Sequence, residues 1–446
     1  MMRSLLFVVA AAAIAACSST SDAPDTTDAS AVTNEPTASS SSSSSSSGAP
    51  DDDDDPPKPR FVDTCTLQES CGPATAAERS GLAEVERCGF SLEESENLGA
   101  TPELVSALAG LTTPVSVQDV LADANRVATK TNTVPGGPAG VQYAFEWQGD
   151  DDASIAWTPQ GITGTADATD TGKVGQRSAV LVSFYDHPVP SSGEENRGVR
   201  IAFVDTTTAV APKYRFVLLV APKGTREAPS FDPIKIHAGG IVWYRDYLYV
   251  ADTTRGFRVF DMRHLLRVAV DPGMFGCTNG TCRAGTYKYV LPQIGSYAVK
   301  SSCKPIFSWV SLDRKSDPPS LVSGEYCSGE ACAGPLAGRI FRWPLDAATG
   351  LLRSKVTFPT EAYLMSHRQV QGGAFIDGVA YLSSSAPTND GGDLYRVTKG
   401  KSATSKWGNN PEDLMVDAAN GWLWSLTEKA ETRSVFAVKL TSYPPP

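Results

Sequence analysis

The chain has 446 residues, nine cysteines and a formal net charge of −11 at neutral pH. Residues 1–60 hold nine acidic and three basic side chains, so they carry −6 of this charge and residues 61–446 carry only −5. A nucleic-acid-binding protein needs a clustered basic surface. The charge balance therefore argues against nucleic acid as a partner, without identifying another partner.

The first sixteen residues have the three-part organisation of a bacterial export signal. Arg3 is followed by the apolar run Leu5–Ala16, which is too short to cross a bilayer as a helix of about 20 residues. The run leads into Ile14-Ala15-Ala16-Cys17, which resembles a lipobox. This resemblance implies that residues 1–16 are a lipoprotein signal peptide and that Cys17 is lipidated. The alternative is an ordinary secretory signal in which Cys17 is incidental.

Residues 17–60 form the lipidated cysteine and a polar tether. The tether contains the serine run Ser39–Ser47 and the acidic run Asp51–Asp55, so it lacks the apolar side chains that a folded core requires. We expect a disordered spacer, with acyl chains on Cys17 as the membrane anchor. The predicted location is the extracytoplasmic cell envelope. In a Gram-negative cell it is the outer membrane, because Ser18 and not aspartate follows the lipidated cysteine.

Eight cysteines remain after Cys17, an even number that predicts a disulfide framework in an exported protein. They are Cys65, Cys71, Cys88, Cys277, Cys282, Cys303, Cys327 and Cys332. Cys277–Cys282 and Cys327–Cys332 each enclose four residues and are predicted to staple local loops. One of the three N-terminal cysteines is then expected to pair with Cys303. Zinc is the alternative, but the histidines do not lie at zinc-ligand spacing from the cysteines.

Residues 61–140 are predicted to form a small α-helical region that is stapled by disulfides. Capping-box spacing predicts helix starts at Thr75 and at Ser91. Pro102 is a favourable first residue of a third helix, and Ser116 opens an apolar run that predicts a fourth.

From residue 141 to residue 446 the pattern changes to short alternating strands separated by turn residues. Successive stretches repeat a polar or small start, a strand, a tight turn and further strands, which is the signature of a β-propeller. Five units begin at Gln160, His237, about Ser308, Gln371 and Glu412.

Five blades are therefore predicted, and the last unit supplies only three strands before the chain ends. Val141–Trp147 is expected to complete it from the N-terminal side and so to close the ring. Five blades would average about 61 residues, more than the usual ~40–50, so six blades is the alternative.

Tyr247-Leu-Tyr-Val-Ala-Asp252, followed by Phe257-Arg-Val-Phe-Asp261, resembles blades of secreted bacterial propellers of the NHL and gluconolactonase-like kind. The resemblance covers one or two blades closely and implies the propeller fold. For gluconolactonase-like members it also implies a catalytic calcium ion held by Glu, Asn and Asp side chains in the channel. Only Glu412 occupies a comparable place in this chain.

The blade starts place polar side chains around the mouth of the predicted channel. These candidate ligand-binding residues are Gln160, His237, His367, Gln371, Glu412 and Asp413. Amide and carboxylate oxygens with a neutral imidazole could hold calcium, and a histidine near carboxylates could act as a general base. Alternatively, these residues cap strands and bind water, while Gly239-Gly240 and Gly372-Gly373 let the strands crowd together.

The sequence contains no nucleophile elbow, no zinc-protease helix motif and no phosphate-binding loop. We therefore expect a membrane-anchored, extracytoplasmic propeller that binds or scaffolds a protein or glycan ligand, with no catalytic residue identified. The alternative is a metal-dependent hydrolase or lactonase that works in the central channel.

Overall fold

The structure is a computed structural model. It describes residues 64–68, 81–187, 195–208, 210–328, 338–385 and 391–446. The predicted signal peptide, the lipidated Cys17, the tether and the helix start at Thr75 lie outside the described residues. Among the helices that the structure describes, none is long and apolar enough to cross a membrane.

Five four-stranded antiparallel sheets follow one another along the described chain. Blade 1 consists of β7 (Trp157–Gly164), β8 (Ala179–Asp186), β9 (Val199–Asp205) and β10 (Lys213–Gly224). Blade 2 consists of β12 (Ile241–Tyr244), β13 (Tyr247–Asp252), β14 (Gly256–Asp261) and β18 (Tyr289–Val299). Blade 3 consists of β19 (Trp309–Asp313), β20 (Ser320–Gly324), β21 (Arg339–Pro344) and β23 (Glu361–Met365).

Blade 4 consists of β24 (Val370–Ile376), β25 (Val379–Ser384), β26 (Asp393–Thr398) and β27 (Lys401–Lys406). Blade 5 consists of β28 (Pro411–Asp417), β29 (Trp422–Thr427), β30 (Ser434–Lys439) and β6 (Val141–Glu146). The further strands are β1 (Leu82–Glu84), β2 (Leu92–Glu94), β3 (Thr113–Val115), β4 (Arg126–Val127), β5 (Thr129–Lys130), β11 (Pro229–Pro233), β15 (Leu265–Arg267), β16 (Asp271–Thr278), β17 (Thr281–Gly285) and β22 (Val356–Thr357). The α-helices are α1 (Glu103–Leu111), α2 (Val117–Ala122), α3 (Gly149–Asp152) and α4 (Thr165–Ala168). Single 3₁₀ turns lie at Arg87–Gly89, Met262–His264 and Leu440–Ser442.

The innermost strands of the five blades form a closed ring. β7 contacts β12 and β28, β19 contacts β12 and β24, and β24 contacts β28. The prediction of a five-bladed propeller is therefore confirmed. The expected closure is confirmed as well, because β6 pairs with β30 and supplies the outermost strand of blade 5.

Glycine lets the innermost strands approach one another closely. A Cβ atom on Gly240 would lie 2.1 Å from the backbone nitrogen of Val310, and one on Gly372 would lie 2.6 Å from the Cα atom of Asp413. Neither separation is compatible with a side chain, so these two positions require glycine. Gly239-Gly240 and Gly372-Gly373 therefore have the packing role that the sequence predicted for them.

Aromatic side chains fill the spaces between neighbouring blades. Between blades 5 and 1, the Trp147 ring lies 5.0 Å from the Phe184 ring and 5.0 Å from the Tyr214 ring, in edge-on contacts. Between blades 2 and 3, the Phe257 ring lies 4.9 Å from the Phe307 ring. Burying a side chain of this size stabilises the fold by about 1.5–3 kcal/mol, and the edge-on geometry adds to that.

Residues 81–130, which we call the belt, run around the outer edges of the blades. Gly81 forms a bridge with Lys399 of blade 4, and β1 pairs with β23 of blade 3. β2 then pairs with β18 of blade 2, β4 with β10 of blade 1 and β5 with β6 of blade 5. The belt therefore reaches all five blades and covers the exposed edges of four of them.

Only part of the predicted helical region is helical. Ser116 opens α2 with a capping box, in which the Asp119 backbone N–H donates to the Ser116 hydroxyl at 3.1 Å, as its position predicted. Pro102 directly precedes α1, so a helix start there is confirmed within one residue. The helix start at Ser91 is wrong, because β2 follows it and pairs with the edge of blade 2, burying Leu92 completely.

Two disulfides lie wholly within the described residues. Cys277–Cys282 joins β16 to β17, as its spacing predicted, and Cys65–Cys88 ties the start of the described chain to the belt. Cys303 and Cys327 are also disulfide-bonded. Cys71 and Cys332 lie outside the described residues. Of the three N-terminal cysteines, Cys71 is thus the one still open as the expected partner of Cys303.

Candidate functional site

Four of the six predicted site residues lie together on innermost strands. Gln160 is on β7, Gln371 is on β24, and Glu412 and Asp413 are adjacent on β28. Each of these strands begins at the same end of the channel, which we call the mouth. The structure adds Glu428, which directly follows β29 and so returns to the mouth beside the start of β28.

Two glutamine amides hold two carboxyl groups across blade boundaries. The Gln160 Nε2 atom donates to Glu428 Oε2 at 3.0 Å, and the Gln371 Nε2 atom donates to Glu412 Oε1 at 3.2 Å. Glu412 is only 1% exposed, whereas Glu428 and Gln371 are half-buried. Blades 1 and 4 therefore position both carboxyl groups of blade 5, with Glu428 nearer to solvent than Glu412.

The pKa values of both carboxyl groups are raised, that of Glu412 far more than that of Glu428. Burial raises the pKa of Glu412 well above its ordinary value, and the charges of Glu428 and Asp413 raise it further. Burial also raises the pKa of Glu428, while the hydrogen bond from Gln160 opposes that rise. Each ionised carboxyl group repels the other, so the second of the two to ionise does so with a higher pKa. The pair is thus suited to hold one proton and one negative charge.

Asp413 ties three innermost strands together. Its Oδ2 atom accepts hydrogen bonds from the backbone N–H of Ile162 on β7 at 3.2 Å and of Ile241 on β12 at 3.4 Å. The side chain is completely buried, and its Oδ1 atom has no hydrogen-bond partner among the described residues. Burial raises the pKa of Asp413 well above its ordinary value. This geometry makes Asp413 a structural link between blades and keeps it from direct contact with a solvent-borne ligand.

The far end of the channel is closed by α4, which contacts β7, β12 and β28. Asp167 on α4 is 3% exposed, and its Oδ2 atom accepts a hydrogen bond from the Thr163 hydroxyl at 2.7 Å. Burial raises the pKa of Asp167 to about 7, with Asp417 adding to the rise. Glu412, Asp413 and Asp167 thus follow the channel from the mouth to its closed end, and we call them the axial acids.

An aromatic and imidazole group forms one wall of the mouth. The Tyr185 ring lies 4.4 Å from the His237 ring and 6.0 Å from the His187 ring. Burial raises the pKa of Tyr185 to about 12, and the nearby charges of Glu428 and Glu412 contribute, so its hydroxyl is close to those carboxyl groups.

His237 is an exposed residue at the mouth. Partial desolvation of its ring by neighbouring atoms lowers its pKa below the ordinary value, and the adjacent His187 adds to the effect. The imidazole is therefore neutral at physiological pH and can both donate and accept a hydrogen bond.

His367 does not join this group. Its ring lies 4.2 Å from Tyr395 on β26, and its Nε2 atom is 3.1 Å from the Ser402 hydroxyl on β27. These are the two outer strands of blade 4. The expectation that His367 lies at the mouth is wrong, because the connection into β24 passes over the outer part of blade 4 before reaching the channel.

Glu428, Tyr185 and His187 were missed because they lie at the ends of second strands, not at the starts of innermost strands. A signal for Glu428 exists in the sequence. The second strands of blades 1, 2 and 3 also end in an acidic residue, or are followed directly by one. These are Asp186, Asp252 and Glu325, which we call the rim acids.

Each rim acid is ion-paired with an arginine of its own blade. In blade 5 the arginine in this place is Arg433, and it contacts backbone oxygens. Arg433 directs its Nε atom to the backbone oxygen of Glu428 at 2.7 Å and its Nη1 atom to the backbone oxygen of Asp151 at 2.8 Å. No ion pair joins Arg433 to the Glu428 carboxylate among the described side chains. Glu428 can therefore face Gln160. We call the resulting set the mouth site; its members are Gln160, Tyr185, His187, His237, Gln371, Glu412 and Glu428.

The calcium expected from the gluconolactonase-like resemblance does not fit these residues. Within the described parts of the chain, no group of three or more His, Cys, Asp or Glu side chains could hold a metal ion. Glu412 and Glu428 each accept an amide N–H, and Asp413 is engaged by two backbone N–H groups.

No protein-family model and no curated protein matches the chain. Among solved structures, it is similar to the RS223-Beta-xylosidase, at 9% identity over 64% of this chain and 92% of that one, with a TM-score of 0.32. A GH43_1 enzyme from Xanthomonas citri complexed with xylose matches at 10% identity over 75% and 91%, with a TM-score of 0.30. Drosophila Plexin A in complex with Semaphorin 1b matches at 10% identity over 68% and 59%, with a TM-score of 0.21. At such values the similarities assign no residue or activity to this chain, and the propeller assignment rests on the strand pairing itself.

Proposed function

We propose that this protein is an exported, lipid-anchored β-propeller that binds a saccharide at its mouth site. The observation that carries the proposal is the convergence of side chains from blades 1, 4 and 5, in which Gln160 meets Glu428 and Gln371 meets Glu412. Function in a propeller has to be argued from such a site, because the fold itself hosts many activities.

The chemistry of the mouth site suits a polyhydroxylated, uncharged ligand. Amides, carboxyl groups and the neutral His237 provide both donors and acceptors, and Tyr185 provides an apolar ring face with a polar tip. A sugar presents the complementary combination of hydroxyl groups and C–H faces. An anionic ligand would be repelled by Glu428, since like charges at short range in a crowded site interact unfavourably.

A glycan array followed by calorimetry on the full chain in detergent tests this proposal. We expect Glu428→Gln and His237→Ala each to weaken saccharide binding about tenfold, because each removes a polar contact from the mouth. His367→Ala is the matched control, since that half-buried histidine also packs on a tyrosine but lies on the outer strands of blade 4. Binding that survives both mouth variants unchanged would exclude this site.

The membrane anchor rests on the Ile14–Cys17 sequence, which resembles a lipobox. We expect an alkyne-labelled fatty acid to be incorporated into the wild-type chain in its native host and not into Cys17→Ser. We further expect the wild-type chain to fractionate with membranes, and with the outer membrane if the host is Gram-negative. Unlabelled wild-type chain would contradict the lipoprotein proposal without touching the proposal for the mouth site.

A second candidate function is hydrolysis of a glycosidic bond. It is favoured by the unequal settings of Glu412 and Glu428, because a protonated and an ionised carboxyl group are the acid and base of such reactions. Glu412 would donate a proton to the leaving-group oxygen. Glu428 would either attack the anomeric carbon of the sugar or take a proton from the attacking water. Binding remains the first candidate because Glu412 is almost fully buried beneath Gln371 and Glu428.

Turnover of aryl glycosides distinguishes the two functions. A hydrolase that uses these two carboxyl groups requires that Glu412→Gln and Glu428→Gln both abolish turnover. Saccharide binding without turnover by the wild-type chain would leave the binding function and reject the hydrolase.

A further inference from the structure

A cavity lies between blades 5 and 1, at the opposite end of the propeller from the mouth. It has a volume of about 370 Å³ and is lined by the turn after β28, the start of β29, α4 and the turn between β9 and β10. We call it the interblade cleft. Its volume falls within the range of about 300–1,000 Å³ that is usual for small-molecule sites.

One wall of the interblade cleft is aromatic. The Trp422 and Trp424 rings are 6.2 Å apart, and the Tyr143 ring lies 5.6 Å from the Trp424 ring. Trp424 is 4% exposed and packs into the core between the blades, which holds it in place. Trp422 and Tyr143 are half-buried, so each retains an accessible surface beside the cavity. Rigid rings of this kind suit the apolar C–H face of a ring-shaped ligand.

The other wall carries hydroxyl groups. Thr165, Thr171, Ser178 and Thr206 all line the cleft. The hydroxyls of Ser178 and Thr206 make no hydrogen bond to any residue that the structure describes, although both residues are half-buried. They can therefore donate to or accept from a ligand without breaking an existing hydrogen bond.

The cleft offers no free carboxylate. Asp417 is 7% exposed, and its carboxylate accepts the Asn420 backbone N–H at 3.1 Å and the Asn420 Nδ2 at 2.7 Å. The nearby Asp205 is ion-paired with Arg177. The exposed Lys173 also lines the cleft and can donate hydrogen bonds from its ammonium group. A ligand in the cleft thus meets rings, hydroxyl groups and one ammonium group, which favours a ligand with several hydroxyl oxygens of its own.

We propose that the interblade cleft is a saccharide-binding site, separate from the mouth site and sized for a single sugar or a disaccharide. An aromatic wall that faces a hydroxyl wall recognises both faces of a sugar ring. This inference does not rest on the function of the mouth site, because the two sites share no residue.

Ligand-observed NMR and calorimetry on the full chain test the proposal, with glucose, galactose, xylose, N-acetylglucosamine and their disaccharides as probes. We expect dissociation constants of about 1 mM, as befits a ligand of about a dozen heavy atoms at ordinary ligand efficiency. Trp422→Ala should weaken binding about tenfold, and Trp422→Phe should retain most of it because a ring remains.

Ala166→Leu provides a test that removes nothing from the protein. Ala166 is half-buried and lines the cleft, so the larger side chain should fill the cavity and abolish binding at the cleft, but not at the mouth, at an unchanged melting temperature. This variant decides the question if Trp422→Ala fails to fold. Glu428→Gln separates the two sites, because it should leave cleft binding unchanged while it weakens binding at the mouth.

The proposal is overturned if none of these sugars binds when its concentration is ten times the expected dissociation constant. It is also overturned if a folded Ala166→Leu/Glu428→Gln chain binds them as tightly as the Glu428→Gln chain does. Loss of binding in Ala166→Leu that coincides with normal binding in Glu428→Gln supports the cleft alone.

Discussion

The rim acids and the axial acids are both buried, but their charge is balanced in different ways. Each rim acid meets an arginine of its own blade, so that Asp186 pairs with Arg197 and Glu325 with Arg339. No arginine is ion-paired with an axial acid among the described side chains, although the charge of Arg314 opposes part of the rise in the pKa of Asp167. Burial instead raises their pKa values, which favours the protonated form. One region therefore tolerates buried carboxyl groups by ion pairing and the other by keeping protons.

The difference has a structural cause. Arg339 reaches Glu325 from the adjacent third strand, and both its backbone N–H and its Nε atom donate to Glu325 Oε2 at 2.9 Å. The axial acids lie on innermost strands or on α4 beside them, and the arginine that reaches Asp167, Arg314, donates to its backbone oxygen and is not ion-paired with its carboxylate. Paired acids thus stabilise the individual blades, whereas protonated acids lie where the blades join.

Breaking a rim pair should have the largest effect. Glu325→Ala leaves the Arg339 guanidinium buried and without its carboxylate, so we expect the free energy of unfolding to fall by about 3–5 kcal/mol. Denaturant titration at pH 7 measures this change. The double variant Glu325→Leu/Arg339→Met removes both charges and should lose much less. A loss below about 1 kcal/mol in the single variant would show that the pair is not buried in solution.

The axial acids should respond to pH. The pKa of Asp167 is about 7 in the folded protein, against 3.8 in an unfolded chain. Because the folded value is the higher one, its contribution to stability is complete below about pH 4 and is lost as the pH rises towards 7. Relative to Asp167→Asn, which cannot ionise, the wild type should lose up to about 4 kcal/mol across that window.

Unfolding free energies measured from pH 4 to pH 8 test this prediction. Glu227→Gln is the control, because that side chain is exposed in the turn between β10 and β11 and far along the chain from Asp167. We expect its profile to parallel that of the wild type. A parallel profile for Asp167→Asn as well would mean that the end of the channel is open to water.

Glu428 should show the smallest effect, since it belongs to neither region fully. It is half-buried and bonded to an amide, with no arginine paired to its carboxylate. Glu428→Gln keeps an oxygen acceptor for Gln160, so we expect the free energy of unfolding at pH 7 to change by less than about 1 kcal/mol. Denaturant titration of this variant and of Glu325→Ala under the same conditions measures the difference. A loss in the free energy of unfolding as large as that of Glu325→Ala would place Glu428 among the rim acids.

Most of the propeller could be predicted because its signals are local. Alternating apolar residues and turn residues marked the innermost strands, and the missing fourth strand of the last unit pointed to Val141–Trp147. The belt could not be predicted in this way. β2 to β5 contain only two or three residues each, too few for any periodicity, and they are strands because the edge of a blade accepts them. The capping pattern at Ser91 predicted a helix, but the pairing of β2 with β18 makes this segment a strand.

The site was predicted where it depends on strand starts. Gln160, Gln371, Glu412 and Asp413 lie on innermost strands, which all begin at the mouth. Glu428, Tyr185 and His187 reach the mouth only through antiparallel pairing, which returns the second strand to the same end. His367 precedes an innermost strand in the chain and yet lies over the outer ones. Position relative to a strand start is therefore a guide only for residues within the strand itself.

The belt also has a consequence for the order of folding. Its strands are synthesised first, but their partners come much later: β1 pairs with residues 363–365, and β6 closes on β30 at residues 434–438. Contacts so distant in sequence cannot form until nearly the whole chain is available. β1 and β6 therefore stay without these partners until most of the chain has been made. The last strand to be made joins both ends of the ring at once.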